Sequence, residues 1–241
     1  MNKSAKIYLI PSQLDEESTD TVPPYITTHI QECNVFFVEN ERTARRFLKK
    51  LWKTYLPDQH IEIDNYEWHT IHKAEKEMLP VFRNKIKEGK TIGIISEAGC
   101  PGIADPGQLL VAAAHEMNAE VKPLVGPCSI LLALAASGMN GQRFSFIGYL
   151  PIESNERIKT IREIETESQK KNMTQIFIET PYRNNQLLDS ILKTCKPSTR
   201  LCIAVDLTAP YEWIKTKKMD DWKKEKVDIH KRLAIFLLLA E

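Results

Sequence analysis

The sequence of 241 residues has no long apolar run and no large excess of charge of either sign. No stretch approaches the roughly 20 apolar residues that cross a bilayer. The first six residues lack the apolar core of a signal peptide, so we expect a cytoplasmic protein with no membrane contact. A formal net charge of +1 argues against a generally basic nucleic-acid coat, although a local basic face remains possible.

Cysteine pairs and the common nucleotide motifs are also missing. Five cysteines form no CxxC pair, so the sequence indicates neither a zinc knuckle nor a disulfide framework. His69 and His72 have no third ligand nearby in the sequence, and we expect no metal site. The absence of GxGxxG and GxxxxGK[ST] excludes the usual dinucleotide and P-loop sites.

Short apolar runs alternate with amphipathic stretches in the first 150 residues. The pattern predicts strands at 6–10, 33–38, 91–95, 120–125 and 144–148, and helices near 23–31, 41–55, 70–88, 107–117 and 127–138. Such alternation predicts an α/β fold with a mostly parallel sheet covered by helices.

The pattern changes after residue 150, where a polar segment leads into a charged helical stretch that runs to about 172. Further strands are predicted at 174–179, 200–206, 211–218 and 232–239, with a helix at 181–195. The last two strands are too close in sequence for a helical crossover, so this half should hold a mixed sheet. We place a domain boundary near residue 150, between domains 1–150 and 151–241.

The segment 96–107 holds three glycines and two prolines directly after the strand at 91–95. Glu97 and Asp105 lie at the carboxyl end of that strand, where α/β proteins bind ligands. An ordinary strand-to-helix turn needs only one glycine and one capping Asp. We therefore interpret this segment as a ligand-binding loop whose glycines let a ligand approach the backbone.

A second loop, Gly126 to Ser129, leads into an apolar, Ala-rich helix. The small residues Cys128 and Ser129 would leave the N–H groups of the helix start open to a carboxylate or a nucleotide. A tightly packed core helix explains the same residues equally well. Cys100 has no histidine beside it in the sequence, so a small residue lining a ligand fits better than a nucleophile.

The predicted helix at 41–55 is cationic on one face and apolar on the other. Its basic residues recur at helical spacing and are Arg42, Arg45, Arg46, Lys49, Lys50 and Lys53. Such a stripe could contact phosphates, and a solvated helix face has the same pattern. Both interpretations stay open on this evidence.

Six segments in the same order resemble the tetrapyrrole-methylase superfamily of S-adenosylmethionine-dependent methyltransferases. Ser96 to Gly107 is similar to S-D-A-G-T-P-x-I-x-D-P-G, and 123–129 to P-x-P-G-P-S/C-A. The segments 39–42, 144–151, 179–183 and 206–212 are similar to E-D-T-R, F-x-F-x-G-F-L-P, E-x-P-H-R and E-L-T-K-x-x-E. The resemblance is strongest to the branch that methylates a cytidine 2′-hydroxyl in small-subunit ribosomal RNA. The chain departs from the pattern at Glu97, Cys100, Ala209 and in the loop 10–18.

This resemblance implies a two-domain α/β protein, commonly a homodimer, with S-adenosylmethionine between the domains and RNA as partner. It implies cofactor binding by Pro11, Glu97, Ala98, Gly99, Cys100, Ile103, Gly126, Cys128, Ser129, Ile178 and Glu179. A ribose hydroxyl benefits from a general base, and the candidates are Glu39, Glu97 and Asp105. Candidate phosphate ligands are Arg42, Arg45, Lys49 and Arg183.

Two other functions remain open. A methylase of a small, tetrapyrrole-like molecule would need a deep apolar cleft and would have no use for the basic helix. A protein that binds the cofactor but has lost catalysis, and acts through protein association, would account for the altered loop 10–18 and for Ala209 in place of lysine.

Overall fold

The computed structural model describes residues 5–71 and 74–241, so His72 and the first four residues lie outside the described part. The chain forms two compact units, one ending at Cys128 and the other spanning Ser129–Glu241. The helix and the strand that precede residue 150 therefore belong to the second unit. Among the described residues, no helix is both long enough and apolar enough to cross a membrane.

The first unit contains a parallel sheet. Its strands are β1 (Lys6–Ile10), β2 (Val35–Val38), β3 (Glu67–Thr70), β4 (Thr91–Ile95) and β5 (Glu120–Pro123). Its helices are α1 (Ile26–Glu32), α2 (Glu41–Tyr55), α3 (Glu75–Lys87) and α4 (Gln108–Glu116). The strand order is β3-β2-β4-β1-β5, and every pair within this described sheet is parallel. The predicted parallel sheet is confirmed.

Helices cover both faces of this sheet because its central strands are apolar throughout. The four residues of β2 are all buried, and so are four of the five in β4. One face packs on α1 and α2 through residues such as Phe36 and Leu48, and the other on α3 and α4 through Phe37 and Phe82.

The edge strand β3 was not predicted, and the helix predicted at 70–88 begins only at Glu75. The sequence of β3 is Glu-Trp-His-Thr, and none of its residues is fully buried. It therefore lacks the apolar run by which the other strands were predicted. His69 lies in this strand and contacts Glu67, with 2.8 Å between Nε2 and Oε1.

The second unit contains a mixed sheet, as predicted. Its strands are β6 (Phe144–Tyr149), β7 (Thr174–Ile178), β8 (Arg200–Val205), β9 (Trp213–Lys218) and β10 (Ala234–Leu239). Its helices are α5 (Ser129–Ser137), α6 (Ser154–Lys171), α7 (Asn184–Thr194) and the short α8 (Met219–Trp222). In the order β6-β7-β10-β8-β9, the pair β6–β7 is parallel and the other described pairs are antiparallel. Trp222, Phe177 and Phe236 are buried in the core of this unit.

The register of the first sheet brings three loops to one edge. Ile95 at the end of β4 lies beside Ile10 at the end of β1 and beside Val38 at the end of β2. Because the strands are parallel, the segments that follow them all leave from the same edge. These segments are 11–18, 39–41 and 96–107.

Candidate functional site

The loop after β1 is joined to the loop after β4 by a pair of backbone hydrogen bonds. The N–H of Ser12 donates to the carbonyl of Gly99 at 2.9 Å, and the N–H of Gly99 donates back at 3.1 Å. The Ser12 hydroxyl also donates to the carbonyl of Ser96 at 3.0 Å. Gly99 has a φ of +74°, and a Cβ there would lie 3.3 Å from Leu14 and 3.4 Å from the Pro127 carbonyl. Any side chain at this position would be strained.

The loop around Gly126 packs against the same two segments. A Cβ on Gly126 would lie only 2.3 Å from the ring of Pro11, so this close approach requires glycine. The Cys100 thiol donates to the Pro127 carbonyl at 3.6 Å and is hydrogen-bonded to Cys128. The structure thus brings together five of the residues expected to bind the cofactor: Pro11, Gly99, Cys100, Gly126 and Cys128.

The Cys100 thiol is suited to lining a ligand-binding site rather than to acting as a nucleophile. Its hydrogen bond with Cys128, and then its burial, raise the pKa of the thiol well above its usual value. A thiol that stays protonated is a poor nucleophile. Ala98 and Ile103, in the same loop, are exposed, and Ile103 keeps 49% of its surface accessible.

The far end of the 96–107 loop is held by Glu75, the first residue of α3. One carboxylate oxygen of Glu75 accepts hydrogen bonds from the backbone N–H groups of Gly107 at 3.0 Å, Leu109 at 2.8 Å and Leu110 at 3.3 Å. These are free donors at the start of α4, so Glu75 caps that helix from another element. The α4 N-terminus is therefore occupied.

The three predicted carboxylates lie together at the sheet edge. The backbone N–H of Glu97 donates to the Glu39 carboxylate at 3.1 Å, and the Thr43 hydroxyl donates to the Glu97 carboxylate. Asp105 feels the charges of both Glu39 and Glu97. Asn40 caps α2 by accepting from the N–H groups of the second and third helical residues, which places Thr43 one turn into the helix.

Asp105 titrates far from its usual range. Burial raises its pKa to about 6, with further contributions from the negative charges of Glu39 and Glu97, while the Ser96 hydroxyl opposes the shift. Burial and like charges both disfavour a charged carboxylate. A carboxyl group that gains and loses its proton near neutral pH suits acid–base chemistry.

Some basic residues of α2 form ion pairs, and others are exposed without an ion-pair partner among the described residues. Arg45 pairs with Glu41 at 3.2 Å and Asp64 at 2.9 Å, and its guanidinium lies over the Trp68 ring. Within the described part of the chain, no ion pair is formed by Arg42, Lys49 or Lys53, which are all exposed. Their spacing of seven and four residues places these three on one helix face. Arg45 is thus not available to a ligand without losing existing partners.

In the second unit, Glu179 and Arg183 bind each other. Their side chains lie 2.6 Å apart, and the Glu179 side chain is almost fully buried. Burial alone would raise the pKa of Glu179, but the hydrogen bonds from Arg183 and the Thr180 backbone outweigh it and lower the pKa. Ile178, the last residue of β7, is partly buried. Ser129 is the first residue of α5.

Two pockets in the first unit share Glu97 as a lining residue. One, of about 510 Å³, is lined by Glu39, Asn40, Glu41, Arg42, Thr70 and Glu97. The other, of about 450 Å³, lies between the 12–16 loop, α2 and the end of β4. Both volumes are within the range of small-molecule sites.

Three residues that shape this site did not emerge from the sequence: Ser12, Thr43 and Glu75. Ser12 and Glu75 contact the loop from far along the chain, and no local pattern marks them. The only signal for Thr43 is its place one turn after the capping residue Asn40.

Comparison with known proteins identifies the class. The sequence profile of the Tetrapyrrole (Corrin/Porphyrin) Methylases matches residues 27–222. The chain is 29% identical over 242 residues to a Ribosomal RNA small subunit methyltransferase I of Buchnera aphidicola, covering 99% of this chain and 79% of that protein. It is 34% identical over 210 residues to the protein of that name from Synechocystis, covering 86% of this chain and 68% of that one.

Solved structures agree on the fold. Diphthine synthase aligns with a TM-score of 0.63 at 12% identity, covering 98% of this chain and 90% of that one. A cobalt precorrin-4 methyltransferase aligns with a TM-score of 0.61 at 14% identity, covering 99% and 96%.

This chain belongs to the tetrapyrrole methylase family. It is a methyltransferase, and S-adenosylmethionine is its methyl donor. The residues of the first unit suit that cofactor, because its sulfonium and ammonium cations are attracted by carboxylates such as Glu97. Gly99 has no side chain, so the cofactor can approach the loop backbone at this position.

We expect Glu75→Ala to destabilise the protein by about 1–3 kcal/mol, because three backbone donors would lose their acceptor. It should also weaken cofactor binding, since the 96–107 loop would lose its far anchor. Glu75→Gln keeps an oxygen acceptor, so its stability and cofactor affinity should lie between those of the wild type and Glu75→Ala. Urea denaturation and calorimetric titration with S-adenosylmethionine measure the two effects. The matched control is Glu77→Ala at an exposed position of the same helix turn; equal effects of the two alanine variants would contradict the role of Glu75.

Asp105→Asn should raise the melting temperature at about pH 8 by a few degrees. The folded state binds the Asp105 proton more tightly than the unfolded state, because its pKa rises from 3.8 to about 6 on folding. Charged Asp105 therefore destabilises the protein above about pH 6, and this cost disappears as pH falls toward about 4. The advantage of the variant should shrink over the same interval. Differential scanning fluorimetry across pH tests this against Asp58→Asn; a gain independent of pH would refute it.

Proposed function

We propose that this protein transfers a methyl group from S-adenosylmethionine to a ribose 2′-hydroxyl of small-subunit ribosomal RNA. The observation that carries the proposal is the carboxylate cluster at the start of α2, a helix whose exposed face is cationic. Carboxylates supply the base that a hydroxyl acceptor needs, and cations suit the phosphates around it. Support also comes from relatives whose names refer to small-subunit ribosomal RNA.

For this reaction the protein has to position the ribose hydroxyl and remove its proton. The bound cofactor supplies an electrophilic methyl group that already carries its leaving group. A ribose hydroxyl is a weak nucleophile, so a positioned base should accelerate the transfer. Among Glu39, Glu97 and Asp105, we assign the proton to a carboxylate oxygen of Asp105, because burial and the two neighbouring negative charges raise its pKa to about 6.

Cofactor binding is assigned to the loops of the first unit and to the end of β7. The first-unit residues are Pro11, Glu97, Ala98, Gly99, Cys100, Ile103, Gly126 and Cys128. Ser129, Ile178 and Glu179 belong to the second unit, and binding of the cofactor between the units stays a prediction. Arg183 is already paired with Glu179, so we propose that it positions the Glu179 carboxylate rather than binding a phosphate.

Pairing of two copies and a cytoplasmic location also stay predictions. Light scattering of the purified protein would test the first.

The substrate is tested with small ribosomal subunits from a bacterium whose copy of this methyltransferase gene is deleted. We expect the protein to transfer labelled methyl groups from S-adenosylmethionine to one ribose of the RNA. Asp105→Asn should lower kcat by about 100-fold or more, the usual contribution of a general base. Asp58→Asn serves as the control, and mass spectrometry of RNA digests locates the label.

The outcomes separate the alternatives. A label on a base would overturn the ribose assignment. If the protein binds the cofactor and methylates a tetrapyrrole but no RNA, the acceptor is a small molecule. If it binds the cofactor and methylates neither, the result favours a protein that has lost catalysis.

The exposed stripe of α2 gives a second prediction. The double variant Arg42→Gln, Lys49→Gln should weaken binding to single-stranded RNA and reduce the slope of log K against log salt by about 1.4, or about 0.7 for each lost phosphate contact. Fluorescence anisotropy over a salt series measures this. Lys87→Gln is the control, since Lys87 ends α3 at the opposite edge of the sheet. An unchanged slope would leave the stripe as an ordinary solvated surface.

A further inference from the structure

We propose that the pocket between the 12–16 loop and α2 binds a phosphodiester group of the RNA substrate through Arg46 and Lys50, and that the Glu16 carboxylate occupies Arg46 until RNA displaces it. The inference rests on the proposed function, because it names the place on the first unit where the RNA backbone binds.

The pocket has the size and chemistry for a nucleotide. Its volume is about 450 Å³, and Arg46 and Lys50 line one side. Thr43 and Glu97 line it where it meets the carboxylate cluster. A phosphate held by the two cations would therefore lie in the same pocket as Glu97. Ser12 completes this part of the wall and is fixed by its bonds to Gly99.

Glu16 now contacts both cations. Its carboxylate accepts from the Arg46 guanidinium at 3.2 Å, and the Lys50 ammonium donates to its backbone carbonyl. The side chains of Glu16 and Arg46 are 84% and 58% exposed, so this ion pair is weak and screened by water. A phosphodiester can accept two hydrogen bonds from the guanidinium, whereas Glu16 accepts only one, so RNA can replace this contact with a stronger one.

Displacement requires little rearrangement of the backbone. The Gln13 side chain donates to the Glu16 carbonyl at 3.2 Å, and Thr19 donates to the Gln13 side chain at 2.7 Å. These bonds hold the loop while the Glu16 side chain is free to rotate toward solvent. RNA can then take the place of the carboxylate at Arg46 and add to the contacts of Lys50.

The neighbouring pocket is a poorer phosphate site. Arg42 is its single cation among the described lining residues, and Glu39, Glu41 and Glu97 line it as well. Three carboxylates against one guanidinium weaken the attraction for an anion. The pocket lined by Arg46 and Lys50 also has three acidic lining residues, but it offers a phosphate two cations instead of one, so it is the better phosphate site.

Two variants one residue apart test the role of Glu16. Glu16→Gln and Glu17→Gln remove the same charge from the same loop, and only Glu16 contacts Arg46. Glu17 is exposed, and its backbone N–H, rather than its side chain, bonds Asp15. We expect Glu16→Gln to bind a random-sequence, single-stranded RNA oligonucleotide about three-fold more tightly at low salt, while Glu17→Gln binds like the wild type. Equal affinities of the two variants would overturn the role of Glu16.

The cations are tested by Arg46→Gln and Lys50→Gln. Each should reduce the slope of log K against log salt by about 0.7 and raise KM for the small subunit with little change in kcat. Lys87→Gln should leave slope and KM unchanged. Wild-type affinities and slopes in both variants would overturn the phosphate site even where the wild type methylates RNA. Failure of the proposed function differs, because the wild type itself would then transfer no methyl group to RNA; a wild type that does not bind RNA would overturn both.

Discussion

Two hydrogen bonds between the backbones of Ser12 and Gly99 hold together the loops on which the candidate site depends. They continue the pairing of β1 and β4 beyond Ile10 and Ile95, but as an antiparallel bridge. The loop after β1 thereby becomes a wall of the pocket beside Glu97. With the 96–107 loop fixed here at one end and by Glu75 at the other, ligands meet a shape formed in advance, which lowers the entropic cost of binding.

Helix α2 lies next to negative charge at its start and carries positive charge along its exposed face. Its start meets Glu97 through Thr43, and its later turns carry cations. A cofactor with a sulfonium and an ammonium group is attracted by the carboxylates, and a nucleic-acid backbone by the cations. Pairing within the helix divides the cations further, because Arg45 is held by Glu41 and Asp64 while Arg42 and Lys49 face solvent. Arg42 and Lys49 therefore stay exposed to an RNA backbone, while the charge of Arg45 is balanced by its two partners.

Most of the fold and the position of the main loop could be predicted, because both depend on local patterns. Apolar runs mark the buried strands, and the glycines and prolines of 96–107 mark a loop of fixed shape. The edge strand β3 could not be predicted, since its alternating polar residues give no such run. The contacts of Glu75 with Leu109 and of Glu16 with Arg46 join residues about 30 positions apart. Such contacts depend on packing, and a single sequence carries no record of them.

Two of the departures from the family pattern, at Glu97 and Cys100, are accommodated by contacts in the structure. Glu97 replaces an aspartate, and its longer side chain accepts a hydrogen bond from Thr43 on α2. Cys100 replaces a threonine, and its thiol is hydrogen-bonded to Cys128 in the neighbouring loop. Asp105 is half-buried near two other carboxylates, and this arrangement destabilises its charged form near neutral pH. Carboxyl groups whose pKa is shifted toward neutral are typical of catalytic sites, and this cluster favours an active methyltransferase over a protein that only binds the cofactor.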